Sequence, residues 1–494
     1  MKINNNFLLN IFIVVFLLSF TSCDKQLDLN PISSYSAGNF YQTESDFDLA
    51  VNGTYSILRS LYNGDIINTL ECRCDDIQDD PINGYDHNYV HRFQNDAATP
   101  LLTTVWKNYF SIISRCNLIL DNIDNCSFDN EENKDYFKGE AYFLRGYAYS
   151  QLGFLYGGMP LLDKTMKIDE IKTIARSTQS ETFDFAAQDL KTAASLLPEV
   201  WSLEYLGKAT KYAAQGILAR LLLFQKKYSD AKPILENIIN SGRYAMADKY
   251  GDCFLDEYDN SKEHVFQVQY ISGDIGQGNS WVAKEIHEFA VDSLFPWGGT
   301  SGANLVSPSL YDAYEDGDLR KKFSVRKGYI TKQGVVDVVS IFFIKYAQGT
   351  IPSQKWDYEV NMPVLRYTDV KLMYAEVLNE DAYVAEGEAF NIINAVRRRA
   401  GLSALTSGDI ATQEEFRIAL FKERRVEFAG EYLRWYDLVR TGTAVSVMND
   451  HFSRSDEGGG SKFEMKDYQI LFPIPKYELE VNTDESCMWQ NPGY

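Results

Sequence analysis

Glu423 and Glu427 stand one helical turn apart, the spacing of a carboxylate pair that could share general acid and base work. Such work needs one carboxyl with a raised pKa. Arg424 and Arg425 lie on the same predicted helix, so ion-pair ladders with low carboxylate pKa values are the expected arrangement. Asp312-Ala313-Tyr314-Glu315-Asp316-Gly317-Asp318 gathers four acids around a glycine and is the segment that suggests a calcium ion. It lacks the alternating acids and twelfth-position Glu of an EF-hand, which favours a solvated turn. His87 and His91 have i, i+4 spacing without the adjoining Glu of H-E-x-x-H, and no metal is expected there. Cys72 and Cys74 form C-x-C with no second pair to complete a zinc site. With Cys116, Cys126, Cys253 and Cys487 they read as buried thiols or as one or two disulfides. G-x-S-x-G, Walker A and G-x-G-x-x-G are absent from the sequence. The residues call for no enzyme and no cofactor beyond that weak calcium signal.

A different chemistry is written in the aromatics. Trp281, Phe295, Trp297 and Trp356 all fall between residues 243 and 361, where Gly and aromatic residues rise and helical periodicity stops. Tyr85 and Tyr89 lie in an acidic, Gly-containing stretch, 71–96, that reads as a long loop. Exposed rings on irregular segments bind flat C–H faces of sugars by apolar contact, with neighbouring Asn, Asp or Arg fixing the hydroxyls. These six residues are the candidate ligand contacts; the bland reading is that they only anchor a region poor in regular core. Trp106, Trp201, Trp435 and Trp489 lie in helices or motif segments and read as packing residues.

Cys23 is the remaining reactive candidate. It follows a short n-region with one lysine, an apolar run Phe7–Phe20, and Thr21-Ser22. Fourteen apolar residues are too few to cross a bilayer of about 30 Å, so residues 1–22 read as a signal peptide. Leu18-Ser19-Phe20-Thr21-Ser22-Cys23 is similar to a bacterial lipobox, which predicts cleavage before Cys23, its acylation, and a membrane-tethered protein.

Helices must carry these loops. Apolar residues at helical spacing predict helices over 43–62, 101–124, 133–155, 180–197 and 412–440, and pairs over 210–242 and 363–400. Gly139, Gly146 and Gly153 recur every seven residues, a stripe that lets a neighbouring backbone come close. The pair at 210–242 resembles a tetratricopeptide repeat, with a period of about 34. The expected fold is mainly α: a tetratricopeptide-like α-α superhelix (about 43–242 and 362–442), with a long irregular, partly β insertion (about 243–361) forming the ligand face and an extended segment over 470–494. Strand-like alternation occurs at 265–270 and around 335–346. Sixty-nine acids against 48 basic residues give a net charge of −21, which excludes nucleic acid and anionic lipid as partners and leaves the lipid anchor to hold the membrane.

Three stretches together resemble the SusD/RagB family of outer-membrane nutrient-binding lipoproteins. They are Phe421–Gly442, with Glu427-Phe428-Ala429-Gly430 and Arg434-Trp435-Tyr436-Asp437-Leu438-Val439-Arg440; Leu471–Pro475 with Gln490–Tyr494; and Gly139–Tyr149 with Gly157-Gly158-Met159-Pro160. The resemblance covers the whole chain after Cys23 as a single unit. It implies a helical core with an elaborated ligand face, an outer-membrane, outward-facing location, and a TonB-dependent (SusC-like) transporter as partner. It implies an oligosaccharide or polysaccharide ligand, with a peptide as the alternative. From the residues alone, a surface glycan hydrolase and a protein-only helical scaffold remain as further alternatives.

Overall fold

The computed structural model describes residues 40–78, 86–287, 289–292, 295–299, 305–330, 333–454, 462–482 and 484–494. Cys23, the predicted signal peptide (residues 1–22) and Tyr85 lie outside them, as does the side chain of His87. The helices are α1 (Glu44–Ser60), α2 (Pro100–Ile123), α3 (Glu131–Tyr156), α4 (Gln179–Leu196), α5 (Lys211–Phe224) and α6 (Tyr228–Asn240), then α7 (Tyr367–Asp381), α8 (Glu388–Arg399), α9 (Gln413–Glu427), α10 (Arg434–Arg440) and α11 (Ala444–Ser453). Each packs on the next from α1 through α8, and α9 returns to α7, which builds the tetratricopeptide-like superhelix. Thr43, Thr178 and Thr412 cap α1, α4 and α9 through reciprocal boxes with Asp46, Glu181 and Glu415. No helix among the described residues is long and apolar enough to cross a membrane.

The glycine stripe sets the closest of these contacts. A Cβ on Gly153 would lie 2.7 Å from the Phe183 ring, and one on Gly146 3.0 Å from the Ala186 carbonyl oxygen. Cβ atoms essentially never come as near as the first and seldom as near as the second, so α3 meets α4 this closely because these positions have none.

Between α6 and α7 the chain leaves the superhelix. Strands β1 (His264–Val268) and β4 (Met362–Arg366) pair antiparallel, and β2 (Val325–Ile330) pairs antiparallel with β3 (Val336–Phe343). The apolar run at 363–366, predicted as the start of α7, is therefore a strand: it finds its partner about a hundred residues earlier, and Arg366 only then opens the helix. The predicted helix over 412–440 is broken at Phe428–Leu433, where Gly430 takes φ +73°. The stretch 71–96 is less of a loop than expected. Glu71–Ile77 is buried in the core, and Ile66–Leu70 and Asp86–His91 are short helices on either side. Cys72, Cys74, Cys116, Cys126, Cys253 and Cys487 are all buried, with no disulfide among them.

Candidate ligand-binding face

The insertion brings some of the predicted aromatics to the surface and seals others. Residues 271–280 leave β1 and are pinned by Asn279, which is fully buried. Its amide N–H donates to Tyr358 O (2.7 Å), its Nδ2 to Val360 O (3.1 Å), and its Oδ1 accepts from the Trp281 N–H (3.1 Å). Trp281 then turns inward. It is 2% exposed, against the turn at Asn63-Gly64, with Lys284 reaching over its ring to Asn63 O (2.8 Å). Phe295 is 0% exposed and packs on Phe342. Neither offers a ring face to a ligand, which corrects their place among the candidates: both supply the apolar core of an insertion that regular helices do not fill.

Trp297 and Trp356 do the opposite. They are 39% and 46% exposed, on segments stitched to each other. The Trp297 indole Nε1 donates to Pro352 O (3.3 Å), and Lys355 Nζ donates to Gly299 O while lying 5.4 Å from the Trp356 ring. Gly299 also donates its N–H to His287 O (3.1 Å), and a Cβ there would sit 1.4 Å from Ile286 O, so only glycine lets the 295–299 segment lie this close on residues 286 and 287. Phe289 and Ile351, both exposed, lie on the same stitched segments. They were missed in the sequence, where nothing separates them from the buried Phe and Ile around them. Tyr89 is 44% exposed but sits elsewhere. Its helix is tied to the first turn of α2, where Asp86 Oδ2 accepts from the Leu101 N–H (3.0 Å), and to His451 through the His91 ring. The structure thus brings Trp297 and Trp356 together and leaves Tyr89 apart. Polar edges flank the tryptophans: Gln354 Nε2 donates to Asp274 Oδ2 (3.2 Å), and Asp357 Oδ2 accepts from Gly273 N (2.7 Å) and Asp274 N (2.8 Å).

Acid–base chemistry finds no such opening. Glu423 and Glu427 are buried, and their partners come from other elements rather than from their own helix. Arg320 Nη1 donates to Glu423 Oε1 (2.6 Å) and Glu427 Oε2 (3.2 Å), Arg397 Nη1 to Glu423 Oε2 (3.3 Å), and Arg366 and Arg399 to Glu427 Oε1 (3.0 and 2.6 Å). Arg424 serves Asp369 and Asp437 instead, and Arg425 serves Asp76. Burial pushes the Glu427 carboxyl up, but Arg399, Arg366 and Arg320 outweigh it and hold the group at about 2. For Glu423 burial wins over Arg320 and Arg397, and its carboxyl lies above the ordinary range. The expectation of two low values therefore holds for Glu427 and fails for Glu423. In the predicted calcium turn, Asp318 is bound by Arg320 (2.8 Å) and Glu315 by Arg397 (2.9 Å), so two of its four acids are committed to arginines. His91 Nδ1 is bonded to Cys72 O (2.8 Å).

The chain is thus an α-helical repeat scaffold whose insertion between α6 and α7 carries two exposed tryptophans. Residues 328–494 match the sequence profile described as the SusD family, and residues 27–223 match one described as starch-binding associating with outer membrane. A SusD-like protein of Formosa agariphila is 26% identical over 522 residues, covering 96% of this chain and 97% of the relative. Surface glycan-binding protein A from Bacteroides fluxus is 27% identical with a TM-score of 0.78, covering 92% of this chain and all of that one. A laminarin binding SusD-like protein, 23% identical with a TM-score of 0.77 over 92% of this chain, shares the fold. The chain belongs to the SusD/RagB family.

Proposed function

We propose that this protein is a non-catalytic glycan-binding lipoprotein of the outer membrane. It is tethered through Cys23, faces outward, captures an oligosaccharide or polysaccharide on Trp297 and Trp356, and passes it to a TonB-dependent (SusC-like) transporter. The observation that carries the reading is the pair of exposed indoles on mutually braced segments: rings fixed before the ligand arrives lose little freedom on binding. The glycan-binding name of the Bacteroides fluxus relative and the outer-membrane wording of the N-terminal profile support it. The arginine-held carboxylates of α9 support binding without hydrolysis. The test is affinity electrophoresis through gels containing starch, laminarin and other polysaccharides. The wild-type chain is retarded by its ligand; Trp297→Ala and Trp356→Ala each weaken binding about tenfold, or 1.4 kcal/mol. New reducing ends released from the retarding polysaccharide would overturn the non-catalytic part. Retardation unchanged in both variants would overturn the site.

A further inference from the structure

Away from the tryptophans, a groove of about 530 Å³ runs between α1, residues 204–208 and β1, and a second of about 430 Å³ lies on the other side of the same 199–208 segment. That segment is nailed down. Lys208 Nζ donates to Asp48 Oδ1 (2.9 Å) and Glu140 Oε2 (3.4 Å), the Ala209 N–H to Tyr55 Oη (3.1 Å), and the Trp201 indole to Ala209 O (2.8 Å). Gly207, at φ +95°, is pressed so closely on β1 that a Cβ would lie 2.4 Å from the Gln269 side chain. What the segment presents is the Tyr205 ring, 37% exposed, braced edge-on by Trp201 at 5.9 Å and lying 5.1 Å from Lys208 Nζ.

The wall facing Tyr205 is rich in amides. Asn52 and Gln277 are exposed there, with Gln267 and Gln269 behind them and Arg59 Nη1 donating to Gln277 Oε1 (2.7 Å). A carboxamide donates and accepts on one plane, as a sugar hydroxyl requires, and carries no charge. Its lining holds two cations, Arg59 and Lys208, against two carboxylates, Asp48 and Glu204, so the groove carries no excess charge and is suited to a neutral ligand. A fixed aromatic ring above a wall of uncharged donors and acceptors is the arrangement that holds a pyranose. The groove is joined to the tryptophan face through one stretch of chain. Gln277 ends the 271–277 segment whose Gly273 and Asp274 amides are held by Asp357, the neighbour of Trp356.

We propose that this groove is a second carbohydrate subsite, taking a neutral stretch of the same glycan chain whose other part lies on Trp297 and Trp356. The inference rests on the glycan reading above and extends it: the ligand is a chain long enough to occupy both places, and occupying both raises affinity through effective concentration. The test compares trimers, hexamers and polymers of laminarin and starch by calorimetry on the full chain. The variants are Tyr205→Ala combined with Gln277→Ala, and Trp297→Ala combined with Trp356→Ala. All four positions are at the surface, and circular dichroism checks each fold. For the glucan that binds, the groove variant loses at least about tenfold in affinity for the polymer and keeps wild-type affinity for the trimer. The tryptophan variant loses both. Wild-type polymer affinity in the groove variant overturns the subsite and leaves the tryptophan reading standing. Loss of binding to the transporter alone, with glycan affinity intact, overturns it in favour of a protein-docking surface. A wild-type chain that binds none of these glucans overturns both readings together.

Discussion

Glu140 on α3 and Glu427 on α9 are both sealed from water, yet their surroundings give them opposite proton affinities. For Glu140 burial outweighs Lys208 and raises the carboxyl from an ordinary value near 4.5 to about 7. For Glu427 three arginines outweigh burial and lower it to about 2, and Asp369, between Arg424 and Arg220, also falls to about 2. A depressed carboxyl contributes stability above its unfolded value that is lost as pH falls toward 2; a raised one contributes stability at low pH that is lost as pH rises toward 7. Stability in urea should therefore peak near pH 5 and decline on both sides. Glu140→Gln, which cannot ionise, should gain on the order of 2 kcal/mol over wild type at pH 8 and little at pH 5. A variant whose difference from wild type is the same at both pH values would contradict this assignment. The raised Glu140 carboxyl was not legible in the sequence, because Glu140 is one acid among 69 and its partner Lys208 is remote along the chain. Aromatic type was legible and exposure was not: Trp281 and Trp297 differ in what packs over them, which the residue letters do not carry.

At the scale of the element, local periodicity told the truth wherever an element satisfies itself. The helix pairs, the capping boxes at Thr43 and Thr412 and the glycine stripe all emerged, since their determinants lie within one or two turns. Strand β4 was misread because a short apolar run looks alike in a buried strand and a helix, and its partner β1 is distant. The stripe allows a sharp contrast. A Cβ on Gly153 would lie 2.7 Å from Phe183, whereas one on Gly53 in α1 would meet nothing nearer than Arg115 Nη1 at 3.6 Å. Gly153→Ala should therefore lower stability by about 1–3 kcal/mol through overpacking at the α3–α4 contact. Gly53→Ala should raise it by about 0.5–1 kcal/mol through helix propensity alone. Thermal melting of the two variants decides the matter, and two shifts of the same sign would refute the close-approach reading of the stripe.

At the scale of the whole molecule, the division of labour follows from charge. A body at −21 is repelled by anionic headgroups, so its own surface gives it no electrostatic hold on a membrane. In the proposed reading attachment and binding are separable: a lipid on Cys23 would fix where the protein is, and the insertion between α6 and α7 what it takes. The first is an expectation drawn from the opening residues alone, where a lipobox is a local word, and it lies outside the described residues. The second was readable only as a region, because Trp297 and Trp356 become a face only when Gly299 and Lys355 draw their segments together. Separability is measurable. Cys23→Ala should move the protein from the membrane fraction to the soluble fraction, while its affinity for the retarding polysaccharide stays within about twofold of wild type. Several acyl chains at about 0.8 kcal/mol per methylene leave no appreciable membrane-bound fraction for a variant that lacks them. Membrane retention of that variant at high ionic strength would mean that a protein surface, and not the lipid, carries the attachment. A large loss of affinity on release would mean that the anchor shapes the site instead of merely positioning it.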